Sequence, residues 1–476
     1  MLETEDTIVA ISTPPGRSGI GILRLSGPDA FRIASGLIQT TEGTLEPDRR
    51  LRLARVVDPQ SGDMLDEVLV ALMPEPKTYT RQDIVEIQAH GGPAVLGRLL
   101  DLALEAGARS AGPGEFTLRA YLNGRIDLAQ AEAVASLVNS QSEGGAREAA
   151  RQLAGGLSSE VNEMRDVLLA HLASLEAAID FPEEELPHCD MQAMDRDLSA
   201  AESRCLALAA TFKQGRILTH GATVAIVGKP NVGKSSLFNA LLKRDRALVH
   251  HRPGTTRDVV EDRLELGGLP VTLADTAGLR RNSTAEGEDA TDDPVELAGM
   301  ERTRDSLDRA DAALMVFDLS RPLDDHDREL WGLVQDRPVV TALNKIDLVE
   351  SQAADDVIGE LKPERCSITS AKTGVGIAEL AEMLGGLIID AADVATADSI
   401  LISRRHADAV RQAAMSLDRA RKALADDMSA EFVAYELRDA VMTLGRIVGR
   451  FGQRGSQGDV EEDLLDSVFS NFCIGK

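Results

Sequence analysis

Short apolar or β-branched runs open the chain: "GIGILRLSG", "EVLVALMP" and "DIVEIQAHGG" read as strands. They are followed by "PAVLGRLLDLALEAGA", a stretch of helical spacing bounded by Pro93 and Gly107. This pattern predicts a small α/β domain over residues 1–121. From 122 to 217 the texture changes to long alanine- and leucine-rich segments, including "DLAQAEAVASLVNSQSEGGAREAARQLAGG", which predict a helical bundle. From 218 to 388 apolar strands separated by helices follow one another: "TVAIVG", "VTLADTAG", "AALMVFDLS", "PVVTALNKID" and "RCSITSAK". That alternation predicts a parallel sheet with right-handed crossovers. Residues 389–476 return to helical patterning. The economical reading is one helical domain interrupted by an inserted α/β domain; two independent helical domains are the alternative. The fold class is therefore multidomain α/β plus all-α. Two inserts poor in apolar residues, "RNSTAEGEDATDD" and "FGQRGSQGDVEED", are expected to be loops without regular structure.

Composition narrows the function classes. A length of 476 residues with 43% hydrophobic positions suits several globular domains. The formal charge of −27 argues against a surface that grips nucleic acid along its whole length, so any RNA contact is expected to be local or shared with a partner. Aromatic content of 3% leaves little for base-stacking platforms. Cys189, Cys205, Cys366 and Cys473 show neither C-x-x-C spacing nor a disulfide framework, which fits a reducing cytoplasm. No signal sequence or long apolar run is visible, so a cytoplasmic protein without a membrane span is expected. Cys473 stands fourth from the C-terminus in "CIGK", but the middle pair Ile474–Gly475 and the final lysine do not suit a prenylation signal.

The chemistry is concentrated in the third segment. "GKPNVGKSS" after "TVAIV" is a P-loop in its strand-then-helix setting, comprising Asn231, Val232, Gly233, Lys234, Ser235 and Ser236 after Gly228. The glycines let the backbone close on phosphate oxygens, Lys234 reaches the outer phosphates, and Ser235 presents a hydroxyl to Mg²⁺. "DTAG", Asp275, Thr276, Ala277 and Gly278, offers an acidic contact near the metal and an amide for the γ-phosphate. Asn344, Lys345 and Asp347 of "NKID" set a carboxylate against the amidine edge of guanine, with Ser370, Ala371 and Lys372 of "SAK" in support. A carboxylate there rejects adenine, so the expected nucleotide is GTP. "HHRPGTTRD" supplies His250, His251, Arg252, Pro253, Gly254, Thr255 and Thr256, with Thr256 the second protein ligand of Mg²⁺. Leu279 follows "DTAG" where Ras-like switches carry a water-orienting glutamine, so another group must do that work. Asn231 has a side-chain carbonyl suited to a monovalent cation beside the phosphates, or is a plain turn residue.

Outside these motifs, "DTIVAISTPPGRSGIGILRLSG", "YTRQDIVEIQAHGG", "GPGEFTLRAYLNGRIDLAQAEAV" and the terminal "FCIGK" resemble the MnmE (TrmE) family of tRNA-modification GTPases over almost the full chain. The resemblance implies an N-terminal domain that dimerises and binds 5-formyltetrahydrofolate, a discontinuous helical domain carrying the C-terminal motif, and an inserted Ras-like G domain. By similarity, Arg24, Glu86, Arg125 and Lys476 are the folate contacts, although family members often carry lysine at the Arg125 position. K⁺ falls to Asn231, Thr255 and the carbonyls of His250 and Arg252; Mg²⁺ falls to Ser235 and Thr256; Glu296 in "PVELAGMER" is the water-orienting carboxylate. The chain departs from the family pattern at "VHHRPGTTRD", at the insert before Glu296, and at the glycine-rich insert before "EEDLLDSVFSNFCIGK".

The resemblance further implies a homodimer that works with a flavoprotein resembling MnmG (GidA), which carries the FAD. Together they would add a carboxymethylaminomethyl or aminomethyl group to C5 of the tRNA wobble uridine, with the folate as one-carbon donor. Cys473 then belongs to an active-site tail, either attacking a one-carbon intermediate or shaping the pocket. A ribosome-assembly GTPase switch is the competing function, since "PGTTRD" and "DTAGL" suit that class too.

Overall fold

The computed structural model describes residues 5–40, 45–140, 142–181, 190–244, 263–267, 269–275, 303–392, 400, 402–450, 462–470, 472, 474 and 475. The chain forms two compact units, one made of residues 1–138, 150–205 and 408–476 and the other of residues 139–149 and 206–407. Both expected polar inserts, 281–293 and 451–463, fall outside the described residues apart from 462 and 463. Among the described residues no helix is long and apolar enough to cross a membrane.

In the first unit, β1 (Ile8–Ile11), β2 (Ser18–Ser26), β3 (Ile38–Thr40), β4 (Arg52–Val57), β5 (Met64–Met73), β6 (Ile84–Gly91) and β7 (Arg109–Ser110) make a seven-stranded sheet ordered β3-β4-β5-β6-β2-β1-β7. Every pairing is antiparallel except β1 with β7. Side chains alternate between faces along a strand. Val9, Leu23, Leu25, Val85 and Ile87 therefore share one face, where they pack with residues of helices Ala30–Leu37 and Pro93–Glu105. Ile8 and Ala10 point the other way and meet Phe116 of helix Glu115–Leu122. That second face carries the chemistry described below.

The same unit holds helices from both ends of the sequence. Helix Gly156–Asp180 packs against helix Ala430–Val448, and Arg438 donates to Glu176 at 2.5 Å across them. Arg165 is buried in this contact and donates to the carbonyl of Val441 at 3.3 Å. Arg421 bonds Asp195 at 3.0 Å and Glu202 at 2.9 Å. Segments more than 200 residues apart in sequence thus share one bundle.

In the second unit, β8 (Ala222–Val227), β9 (Arg263–Leu266), β10 (Leu269–Asp275), β11 (Ala312–Asp318), β12 (Val339–Asn344) and β13 (Cys366–Ile368) form a sheet ordered β13-β12-β11-β8-β10-β9. Only the edge pair β9–β10 is antiparallel. Helices cover both faces, which is why "AALMVFD" of β11 is an unbroken apolar run rather than an alternating one. From β8 the chain moves to β10 on one side and then to β11 on the other. Such a reversal opens a crevice beyond the carboxyl ends of the strands, where ligands of open α/β sheets bind. The P-loop follows β8 at that crevice.

Candidate functional site

The backbone of the P-loop explains its residues. Gly228 has φ +150°, and a Cβ there would lie 2.5 Å from the carbonyl of Val316 in β11. Gly233 has φ +101°, and a Cβ would come within 2.2 Å of the Asn344 amide nitrogen. Both positions exclude a side chain. Asn231 takes the left-handed conformation at φ +65°, which asparagine tolerates better than most residues. Lys234 opens helix Lys234–Arg244 and is buried; its ammonium donates to the carbonyls of Gly228 and Lys229, each at 2.8 Å. The cation is thus held over the loop that is expected to cradle phosphates. Ser235 and Ser236 occupy the first turn of that helix, where amides and dipole favour anions.

The base-reading segments brace the same loop. Asn344, at the end of β12, donates to the carbonyl of Val232 at 2.9 Å and accepts from the Ala371 amide at 3.1 Å. Lys345 donates to the carbonyl of Asn231 at 2.8 Å and to Asp318 Oδ2 at 2.6 Å. Burial raises the Asp318 carboxyl, but hydrogen bonds from Lys345 and Ser320 more than offset this and leave it below its ordinary value. Ser370 Oγ donates to Asp347 Oδ1 at 2.6 Å and fixes the carboxylate that sequence assigns to guanine. Beside these loops lies a cleft of about 670 Å³ lined by Ser236, Asn239, Lys243, Ala371 and Lys372 among others.

One brace was not visible as chemistry in the sequence. Lys229 donates to Asp324 at 2.5 Å and to Asp327 at 2.9 Å, and those two carboxylates also form the capping box of helix Asp325–Val334. Two acids before a helical stretch are a start signal, yet nothing in the sequence pairs them with the loop lysine. His250, His251, Arg252, Pro253, Gly254, Thr255, Thr256, Thr276, Ala277, Gly278 and Glu296 lie outside the described residues; Asp275 ends β10.

A second cluster forms on the second face of the seven-stranded sheet, the one that meets Phe116. Arg24 of β2 stands opposite Glu86 of β6 and donates to Glu86 Oε1 from Nε at 2.9 Å and from a terminal nitrogen at 2.7 Å. Glu86 Oε2 accepts no hydrogen bond among the described residues. The Arg24 guanidinium lies 5.7 Å from the centre of the Phe116 ring. Arg125 donates to the carbonyl of Thr78 and lies 5.2 Å from the centre of the Tyr79 ring, while the Tyr79 hydroxyl is 3.0 Å from that of Thr117. Burial raises the Tyr79 hydroxyl above its ordinary value. Tyr79 packs against the small cluster that contains Ile8, Ala10, Ala111 and Phe116, so each arginine lies by an aromatic ring that sequence reasoning had not singled out.

The C-terminal tail docks on this region. Ile474 bridges Pro113, and Arg24 reaches the carbonyl of Gly475 at 3.4 Å. Phe472 is buried over Gly114, whose φ is +65° and whose Cβ would lie 2.9 Å from that of Phe472. Gly475 has φ +93°, and a Cβ there would lie 2.7 Å from the Ile11 carbonyl and 2.9 Å from Ser12 Cα. Glycines in "GPGEF" and "CIGK" are thus two halves of one contact. Cys473 and Lys476 lie outside the described residues.

Comparison with known proteins places the chain in one family. A family profile described as "GTP-binding protein TrmE N-terminus" matches residues 7–125, and one described as "MnmE helical domain" matches residues 128–473. The chain is 37% identical over 473 residues to a protein of Acetivibrio thermocellus named "tRNA modification GTPase MnmE", covering 99% of each. Proteins of the same name from Roseiflexus sp. and Chloroflexus aurantiacus are 41% and 42% identical, over 99% of this chain and 99% and 100% of theirs. With full-length identity at this level on top of the cross-braced P-loop and the docked tail, the chain belongs to the MnmE family of tRNA modification GTPases.

Proposed function

We propose that this GTP hydrolase, as a homodimer and together with a flavin-dependent partner of the MnmG kind, modifies C5 of the wobble uridine in certain tRNAs. Arg24 and Glu86, on the second face of the seven-stranded sheet, would hold a reduced folate, which would supply the carbon. The single observation that carries the reading is the meeting of Arg24, Glu86 and the carbonyl of Gly475 at one place. Glu86 Oε2 is available to pair the amidine-like edge of a pterin, and arginine suits the glutamate tail of such a ligand. The donor set therefore fits a folate, whose chemistry when bound is to supply a one-carbon unit. Arg24 orients Glu86 through two hydrogen bonds to Oε1, and Phe116 and Tyr79 bring apolar rings to the two arginines.

In the nucleotide site, Lys234 is set to neutralise outer phosphates, Asp347 to read guanine, and Ser235 with Thr256 to hold Mg²⁺, which stabilises developing charge. The left-handed backbone of Asn231 is pinned by Lys345, and its exposed side chain is unengaged among the described residues, an arrangement suited to K⁺. Thr255 and the carbonyls of His250 and Arg252 complete the proposed K⁺ site, and Glu296 orients the water. A cation there takes the place of an arginine finger. Two measurements test this reading. Wobble nucleosides from cells lacking the protein should lose the modification, and GTP hydrolysis should run faster in K⁺ than in Na⁺. Intact wobble uridines would refute the tRNA assignment; equal rates in both salts would refute the cation.

A further inference from the structure

Ser12 follows β1 and continues its alternation: Ile8 and Ala10 face Phe116, Val9 and Ile11 face the helices, and Ser12 returns to the side of Ile8 and Ala10. Ala10 stands opposite Arg24 and Arg24 opposite Glu86, so this side is the one that carries the ion pair. The Ser12 amide is used, donating to the carbonyl of Ile22 at 2.8 Å. Its hydroxyl is not. Ser12 Oγ is buried and has no hydrogen-bond partner among the described residues, although a Cβ on Gly475 of the docked tail would lie 2.9 Å from Ser12 Cα.

An unpaired buried hydroxyl is costly, and alanine at the same place would avoid that cost. Ser158 and Thr341 also carry buried hydroxyls without a partner among the described residues, but they belong to helix Gly156–Asp180 and to β12, elements that do not carry the Arg24–Glu86 pair. Among the described residues, Ser12 alone has such a hydroxyl on the sheet face of a half-buried ion pair whose carboxylate keeps an open oxygen.

We infer that Ser12 is a ligand-positioning residue: its hydroxyl bonds a polar atom of the reduced folate held by Arg24 and Glu86. The inference rests on the folate reading above and goes beyond it by naming a contact other than the four folate positions, Arg24, Glu86, Arg125 and Lys476, that the family resemblance implies. A serine can donate or accept, so the hydroxyl suits either a ring nitrogen or a carbonyl oxygen of the ligand.

The test is Ser12→Ala in the full-length chain, with 5-formyltetrahydrofolate titrated calorimetrically and thermal melting followed without and with the folate. The expected result is a split. Folate binding weakens roughly three- to tenfold, as loss of one net hydrogen bond implies, while the ligand-free protein melts at the same temperature or higher because an unpaired hydroxyl has been removed. Wild-type affinity in the variant would overturn the assignment, as would a lower ligand-free melting temperature, which would mean the hydroxyl serves the fold. Failure of the wild-type protein to bind the folate saturably would overturn the folate reading itself and this inference with it. Glu86→Gln separates the two cases, since it should weaken folate binding whether or not Ser12 contributes.

Discussion

Replacing Gly475 by alanine tests the tail contact at its tightest point. At φ +93° an L-residue is strained by roughly 1–2 kcal/mol. The new methyl would also lie 2.7 Å from the Ile11 carbonyl and 2.9 Å from Ser12 Cα, both backbone atoms at the end of β1 that cannot swing aside as a side chain can. Overpacking of this kind adds about 1–3 kcal/mol. The sum, about 2–5 kcal/mol, lowers the docked population of the tail by about thirtyfold to several thousandfold at 1.4 kcal/mol per factor of ten. Because the tail is short, it should release rather than distort β1. The measurement is hydrogen–deuterium exchange over 469–475 and over the Pro113 loop, beside wobble-uridine analysis in cells carrying the variant. Both regions should lose protection while β2 and β6 keep theirs, and the modification should fall. Gly36→Ala supplies the control: it sits in helix Ala30–Leu37 with nothing within 4 Å of the added carbon, and should be neutral or slightly stabilising. A Gly475→Ala tail as protected as wild type, with wobble uridines fully modified, would falsify the claim that the docked tail is needed.

Two further perturbations probe other parts of the chain. Asp347→Asn removes the carboxylate that Ser370 orients, so GTP affinity should drop by two or more orders of magnitude, about 3 kcal/mol for a charged hydrogen-bonded contact, while xanthosine triphosphate, which has a carbonyl where guanine has an amine, should gain. Competition binding with the two nucleotides checks this, and an unchanged preference for GTP would remove Asp347 from base reading. Burial pushes the Cys205 thiol up to about 12 and the Cys366 thiol up to about 11. In the folded chain both should resist alkylation at pH 8 and label only on unfolding, as read by mass spectrometry. The sign for stability follows: thiols raised above the ordinary 9.0 favour the fold below that pH, and the contribution is lost as pH climbs from 9 towards 11 and 12.

What sequence could and could not reveal divides along a physical line. The strand β8, the P-loop glycines and the unbroken apolar run of β11 were legible because local sterics and periodicity determine them: a glycine at φ +101° or +150° leaves its mark in the residue type itself. Lys229 with Asp324 and Asp327 was not legible, because a surface-type lysine and two helix-capping acids give no sign of partnership when they stand 95 and 98 residues apart. The same holds for Phe116 and Tyr79, which read as ordinary core aromatics until the sheet sets Arg24 over one and the loop sets Arg125 over the other. Ser12 sits between these cases. Its period-2 placement follows from "TIVAIS", yet only the fold shows its hydroxyl buried without a partner among the described residues, beside Gly475 of the tail. The tail's role thus depends on a contact across more than 450 residues, Arg24 to Gly475, whose two ends are each plain in sequence and whose meeting only the fold supplies. A residue whose cost appears only on that meeting is where selection for a bound ligand, rather than for the fold, has room to act.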